Sequence, residues 1–150
     1  MQGQPPAQAV EVGPINLSEW AEEINNALAN NKPCMLASAD GKGHPDIAYK
    51  GSMMVFDDQH LAWWERSRAE QILQVEENPN VVMFYRNTDT RLQLRIYGAA
   101  EIHHDGPVRE QVMGKTVQRE LDQDPERKGF GVVVRVDRVR LGRNVVQERK

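Results

Sequence analysis

The chain opens with a polar segment followed by a helical repeat of apolar residues. Residues 1–14 are rich in Gln, Pro, Ala and Gly, which predicts a loose tail. Asn16 followed by Glu19 is a capping-box pattern, and Pro33 ends the segment. Apolar side chains recur between these points at helical spacing, at Leu17, Trp20, Ala21, Ile24, Ala27 and Leu28. The pattern predicts a packing helix with no chemistry.

From Pro33 onward the period of the pattern becomes that of β-strands. The alternation predicts strands over residues 34–39, 47–50, 52–56 and 61–64. The segment DGKGHP has the composition of a hairpin turn. Because strands joined by short turns pair antiparallel, we expect an antiparallel sheet.

The second half of the chain predicts two more helices and three more strands. Ser67 followed by Glu70 is another capping box, for a helix that Asn78-Pro79 ends. The remaining elements are strands over 80–86, 92–103 and 130–141 and a helix over 105–122.

Two features of the long strands stand out. The strand over 92–103 has one apolar face, whereas the other combines Gln93, Arg95 and Tyr97, which is typical of an interface or a ligand wall. In the last strand the apolar positions change from even to odd near Asp137-Arg138, which predicts a bulge. Residues 143–150 predict an exposed tail, so the folded domain is predicted to span residues 15–142.

Length and charge narrow the class of protein. A chain of 150 residues suffices for one domain that needs no disulfide or metal. A net charge of -3 and a pI near 5.8 argue against nucleic acid or an anionic membrane surface as partners. No apolar run reaches membrane-spanning length, and the single Cys34 cannot form an intrachain disulfide. We therefore expect a cytoplasmic protein.

The residues alone leave the chemistry open. No nucleophile, dinucleotide or P-loop motif is present, and the four histidines lack the spacing of a metal site. Arg66 and Arg68 bracket the helix start predicted at Ser67, where free backbone amides favour a phosphate, and Lys50 ends an extended run. The other interpretation is that these are exposed basic side chains at the ends of elements.

The order of several segments resembles the pyridoxamine 5'-phosphate oxidase-related FMN-binding split-barrel family. These segments are the strand PDIAYK, the aromatic strand LAWW, the group RSR, the helix AEQI…EENP and the strand LQLRIYGAAEI. The resemblance covers about residues 33–103. It implies a mostly β fold with flanking helices, arranged as a six-stranded antiparallel split β-barrel. It also implies a homodimer with two FMN molecules at the subunit interface.

The resemblance assigns the part of the site that lies on one subunit. Lys50 matches a strand lysine on the flavin side, and Arg66, Ser67 and Arg68 lie where the family grips the phosphate with Ser-Arg-Lys. Four residues are expected to offer backbone groups to the ring: Asp46, Ile47, Ala48 and Tyr49.

The rest of the site falls on other strands. Trp63 and Trp64 lie near the family's Tyr-Thr pair; either could stack on a planar ring, although alternation places at least one in the core. Gln93 matches a glutamine that reaches the flavin from the partner subunit, and Arg95 is a further candidate to lie near the ring.

The function that the resemblance implies is hydride or electron transfer by FMN, between a nicotinamide or other reductant and an unidentified small substrate. The oxidase proper carries a C-terminal Arg-x-His segment, which the final RVDRVRLGRNVVQERK lacks, so oxidation of pyridoxamine phosphate is not expected. The alternatives are a non-catalytic flavin sensor or store, or a relative that binds the deazaflavin F420 or haem.

Overall fold

The computed structural model describes residues 11–66 and 70–150. Most of the predicted N-terminal tail, and the predictions for Ser67 and Arg68, lie outside these residues. Within the described part of the chain, no helix is long and apolar enough to cross a membrane.

The first helix is shorter than its apolar repeat predicts. A 3-10 turn (Leu17–Trp20) leads into α1 (Ala21–Asn25). Asn16 caps the turn, as predicted, by accepting a hydrogen bond from the Ser18 amide. The side-chain amide of Asn26 donates to the Glu22 carbonyl, and such a local bond competes with continuation of the helix.

Within residues 11–66 and 70–150, eight antiparallel strands form one sheet in the order β2-β1-β5-β6-β7-β4-β3, with β8 paired to β7. The strands are β1 (Cys34–Ala39), β2 (Pro45–Lys50), β3 (Met54–Asp57), β4 (His60–Glu65), β5 (Asn80–Asn87), β6 (Leu92–His103), β7 (Phe130–Leu141) and β8 (Asn144–Glu148). The resemblance implies a barrel of six strands, whereas the sheet of the described residues contains eight. The hydrogen-bonded order also runs from β2 to β3 without closing.

The eighth strand lies where the sequence predicts a tail. Gly142 has φ +60, a left-handed conformation that glycine adopts without strain, and the chain reverses there so that Leu141 pairs with Asn144. Gly13 forms an isolated parallel bridge with Gln147 on the far side of β8. The predicted exposed tail over 143–150 is thus part of the sheet.

Three further helices flank the sheet: α2 (Glu70–Glu77), α3 (Gly106–Lys115) and α4 (Gln118–Leu121). The single helix predicted over 105–122 is divided, because Thr116 and Val117 have extended backbone angles. The Thr116 hydroxyl donates to the Val112 carbonyl at 2.7 Å, which satisfies one carbonyl at the end of α3.

The predicted bulge lies in the pairing of β6 with β7. Gly98 pairs with Val136 whereas Tyr97 pairs with Arg138, so Asp137 is the extra residue. At this crossing the backbones approach so closely that a Cβ on Gly98 would lie 2.2 Å from the Arg135 carbonyl oxygen.

The inward side chains of the sheet form the main core, and a smaller core lies beneath α3. The main core includes Leu36, Met83, Leu94, Ile96, Val132 and Val134, and the smaller one includes Ala62, Trp64, Val112 and Val133. Cys34 is buried in the main core, and burial raises the pKa of its thiol to about 12.

Gly98→Ala is expected to destabilise the fold by roughly 1–3 kcal/mol or more, because the added methyl group collides with backbone rather than with a movable side chain. The matched control is Gly114→Ala in α3, where nothing lies within 4 Å of the added Cβ. That substitution is expected to raise the free energy of unfolding by about 0.5–1 kcal/mol, since alanine is the better helix former. Urea unfolding measures both, and equal effects would contradict the close approach at Gly98.

Candidate functional site

A polar cavity of about 460 Å³ lies where β2 and β4 end. We call it the corner pocket, and it is lined by Tyr49, Lys50, Gly51, Ser52, Trp64, Glu65, Arg66, Glu120 and Gln123. Four of these residues are ones that the sequence assigns to a cofactor site: Tyr49, Lys50, Trp64 and Arg66. Within one chain, β2, β4 and the segment around α4 bring them together.

A buried ion pair joins the two strands at the back of the corner pocket. The Lys50 Nζ lies 2.9 Å from Glu65 Oε2, and the Trp63 Nε1 donates to the same oxygen at 2.9 Å. The side chains of Lys50 and Glu65 are only 11% and 7% exposed. The charge of Lys50 is therefore balanced inside the chain, and the pair also fixes the end of β2 against β4.

A second polar link holds the floor of the corner pocket. The Ser52 hydroxyl donates to the Trp64 carbonyl at 3.0 Å and accepts from the Trp64 amide at 2.9 Å. Because Ser52 precedes β3 and Trp64 lies on β4, this pair of bonds extends the β3–β4 hairpin by a side chain.

Both tryptophans are buried, at 1% and 2% exposure, so neither indole offers a free face to a ligand. Trp63 packs in the main core and Trp64 in the core beneath α3. The Trp64 Nε1 donates to Asp124 Oδ2 at 3.0 Å, and the guanidinium of Arg109 lies 4.9 Å from its ring centroid. Alternation along the strand predicts that at least one of Trp63 and Trp64 lies in the core, and the structure buries both.

Asp124 holds the loop that follows α4 against this tryptophan. Its carboxylate accepts from the amides of Lys128 and Gly129 as well as from Trp64. Partial burial acts to raise the pKa of Asp124, but these hydrogen bonds outweigh it and hold that pKa below its usual value. The loop is thereby anchored next to the corner pocket.

Arg66 and Glu120 meet at the rim of the corner pocket. The Arg66 Nε lies 3.2 Å from Glu120 Oε2, with the two side chains 45% and 14% exposed. The other oxygen of Glu120 fills the space beside Gly51, where an added Cβ would lie 2.0 Å from it. Sequence reasoning missed both Glu65 and Glu120, because a glutamate at the end of a strand or in a helix has the pattern of a solvated side chain.

Of the remaining predicted site residues, Ile47, Gln93 and Arg95 lie on the side of the sheet that faces away from the core, which we call the outer face. Asp46 and Ala48 alternate with Ile47 along β2 and lie on the opposite side. Residues paired across neighbouring strands project on the same side, and one row of such residues crosses five strands. This row consists of Tyr49, Met35, Phe84, Arg95 and Arg140. Gln93 lies on β6, two residues before Arg95.

The outer face is apolar at the β2 edge and basic toward β7. Ile47 and Tyr49 are 60% and 67% exposed, the largest fractions among the exposed bulky apolar residues of the described chain. Asp46 and Ala48 alternate with them along β2 and are half-buried. The guanidinium of Arg95 lies 5.4 Å from the Phe84 ring centroid and its Nη1 donates to the Gly142 carbonyl at 3.4 Å. Gln93 and Arg95 therefore do not reach the corner pocket of their own chain.

A model of the family described as pyridoxamine 5'-phosphate oxidase matches residues 20–141. No curated protein matches the chain.

Solved structures of several proteins share the fold. HupZ from group A Streptococcus superposes with a TM-score of 0.67 at 23% identity, over 83% of this chain and 95% of that one. A Lactobacillus delbrueckii protein named for pyridoxamine 5'-phosphate oxidase gives a TM-score of 0.63 at 28% identity, over 79% and 91%. An FMN-binding protein from Syntrophomonas wolfei gives 0.65 at 14% identity, over 82% and 86%.

Removing either Lys50 or Glu65 from the buried ion pair is expected to lower the free energy of unfolding by about 3–5 kcal/mol, because the remaining charge stays buried without a partner. Lys50→Met and Glu65→Gln test this singly, and the double variant is expected to lose clearly less than the sum of the two. Urea unfolding gives the free energies. Additive losses would show that the two charges do not stabilise each other.

Proposed function

Because the chain belongs to the pyridoxamine 5'-phosphate oxidase family, we propose that it is a homodimeric FMN-binding oxidoreductase. The cofactor lies between the corner pocket of one subunit and the outer face of its partner. The substrate is a small molecule, and the reductant is a nicotinamide or another small donor.

The observation that carries this proposal is the corner pocket itself. It joins four of the predicted cofactor residues, and its volume falls within the roughly 300–1,000 Å³ typical of small-molecule sites. Its cations, hydroxyl groups and amide can contact the polar half of FMN, which is the ribityl chain and phosphate, and its two carboxylates are each paired with one of the cations. Arg66 is the described cation best able to contact a phosphate, since it is 45% exposed whereas Lys50 is buried.

Phosphate contacts alone are not enough to retain a cofactor. Charge-assisted hydrogen bonds contribute about 1.5–3 kcal/mol each, so two or three give only about millimolar to ten-micromolar binding. Burial of the flavin ring must supply the rest. The buried indoles of Trp63 and Trp64 do not offer a surface for this, which leaves the exposed Tyr49 beside the corner pocket.

A second copy of the chain provides the missing cover. The exposed Ile47 and Tyr49 lie on an edge strand, and exposed apolar side chains on such an edge favour association. The outer face continues from them through Met35 and Phe84, which are half-buried in one chain. A partner seated here encloses the ring and brings its own Gln93 and Arg95 toward it.

Bound FMN would supply hydride or electron transfer, chemistry that no side chain of the described residues provides. The residues of the chain grip, orient and shield it. The Lys50–Glu65 pair fixes the end of β2, so that the backbone from Asp46 to Tyr49 is held in place beside the ring. Ser52 and the loop anchored by Asp124 keep the opposite wall rigid.

The alternatives to an FMN enzyme concern either the ligand or the role of the protein, and separate measurements distinguish them. One solved structure with this fold, with a TM-score of 0.60 at 18% identity, is an F420 reductase, so a deazaflavin is the main alternative to FMN. The absorbance spectrum of the purified protein separates flavin, deazaflavin and haem. Steady-state oxidation of NADH or NADPH with an added acceptor favours an enzyme, whereas reduction without turnover favours a sensor or store.

Arg68→Gln is expected to weaken FMN binding by about tenfold to a hundredfold and to leave riboflavin binding unchanged. The family resemblance assigns Arg68 to the phosphate, so the substitution is expected to remove one charge-assisted bond. Flavin fluorescence titration gives both dissociation constants. Arg143→Gln, in the exposed turn before β8, is the matched control. An equal loss of affinity for FMN and riboflavin would contradict a phosphate contact. A wild-type protein that binds neither flavin would contradict the proposed function.

Tyr49→Glu is expected to convert the dimer to a monomer, because it places a charge in the apolar part of the proposed interface. Light scattering coupled to size-exclusion chromatography measures the mass. Leu73→Glu on α2 is the control, since Leu73 is 54% exposed but lies off the outer face. A wild-type monomer, or the same change in both variants, would contradict the interface.

A further inference from the structure

We propose that Glu120 competes with the anionic group of the ligand for Arg66 and so sets how strongly the corner pocket prefers phosphorylated over unphosphorylated ligands. The inference rests on the proposed function for the identity of the ligand as a flavin. The competition itself depends only on an anion binding at Arg66.

The position of the Glu120 carboxylate is that of a ligand group. One oxygen pairs with the Arg66 Nε at 3.2 Å, and the other lies in the space that the missing side chain of Gly51 leaves. The side chain is 14% exposed although α4 has only four residues. An anion that binds the Nε of Arg66 must therefore displace this carboxylate.

The balance of charges in the corner pocket makes its affinity for an anion sensitive to the position of Glu120. Its described lining holds two cations, Lys50 and Arg66, and two carboxylates, Glu65 and Glu120. A pocket with this balance has little net attraction for a phosphate dianion. Removing or displacing one carboxylate changes that balance in favour of the anion.

Of the two carboxylates, Glu120 is the one that can be displaced. Glu65 is 7% exposed and receives hydrogen bonds from both Lys50 and Trp63. Glu120 contacts Arg66, which is itself 45% exposed, and ion pairs with an exposed partner contribute little to stability. A purely stabilising role for the Arg66–Glu120 pair would thus be weak.

The contact between Glu120 and Gly51 explains how the competition remains reversible. The atom that crowds Gly51 is the far end of a flexible side chain, so it can leave without moving backbone. Glu120 precedes Leu121 at the end of α4, and Leu121 is buried beneath α3. The side chain can therefore rotate out of the corner pocket while the helix stays packed.

The test compares Glu120→Gln with wild type and uses three probes: FMN, riboflavin and inorganic phosphate. Flavins are titrated by fluorescence and phosphate by NMR chemical shifts. We expect FMN to bind on the order of tenfold more tightly to the variant, because one charge-assisted bond of Arg66 becomes available. Riboflavin binding is expected to stay the same, and phosphate binding to strengthen in parallel with that of FMN.

Two further variants locate the effect. Glu126→Gln removes the same charge from an exposed residue that pairs with Lys128 outside the corner pocket, and it is expected to bind all three probes as wild type does. In an Arg66→Gln background, Glu120→Gln is expected to leave the affinity for FMN and for phosphate unchanged. If Glu120→Gln does not fold, Glu120→Asp keeps the charge but withdraws it from Arg66 and Gly51. A smaller increase in the affinity for FMN and for phosphate is then expected, with no change for riboflavin.

The outcomes separate this inference from the proposed function. Flavin binding that is the same in wild type and in Glu120→Gln, or that improves equally for FMN and riboflavin, overturns the role of Glu120 and leaves the FMN proposal standing. A gain in phosphate binding that requires Arg66, in a protein that binds no flavin, supports the role of Glu120 and overturns FMN as the ligand. No gain with any probe overturns the inference.

Discussion

The buried pair of Lys50 and Glu65 is the interaction on which the shape of the candidate site depends. These residues lie on β2 and β4, which are five steps apart in the hydrogen-bonded order of the sheet. The sheet must therefore curl so that these strands meet. The short connection of residues 51–53 joins β2 to β3, and the side chains of Lys50 and Glu65, which are not paired in a strand ladder, add the contact between β2 and β4. A charged pair suits this place because it is directional, and it is shielded here by the Trp63 ring, 5.8 Å from the Lys50 Nζ.

This connection also explains why a pocket exists at the corner. Two strands that pair through backbone hydrogen bonds lie about 4.7–4.9 Å apart and leave no space between them. Where β2 and β4 are held together by side chains instead, a cavity lies between them, and its lining is largely polar. Tyr49 marks the point at which this cavity meets the outer face, so a ligand that extends from one to the other contacts both a rigid polar wall and an apolar edge.

The sequence predicted the features that arise from local periodicity. The strand boundaries near Cys34–Ala39 and Leu92–His103, the cap at Asn16 and the extra residue at Asp137 all follow from alternation and side-chain chemistry. The division of the third helix was missed because two β-branched residues weaken a helix without forbidding it. Strand β8 was not predicted, because a glycine followed by charged residues has the composition of an exposed tail as well as that of a turn.

The candidate site was predictable on its cationic side and not on its anionic side. Lys50 and Arg66 stand out in sequence because Lys50 ends an extended run and Arg66 precedes a predicted helix start. Glu65 and Glu120 acquire their roles only through contacts that span 15 and 54 positions of the chain. Taken alone, the two cations predict a phosphate site. Together with their carboxylate partners they form a pocket in which positive and negative charges are equal in number. Since the flanking helix and its loop supply Glu120, a change in that segment can alter which anion the pocket holds while the sheet remains the same.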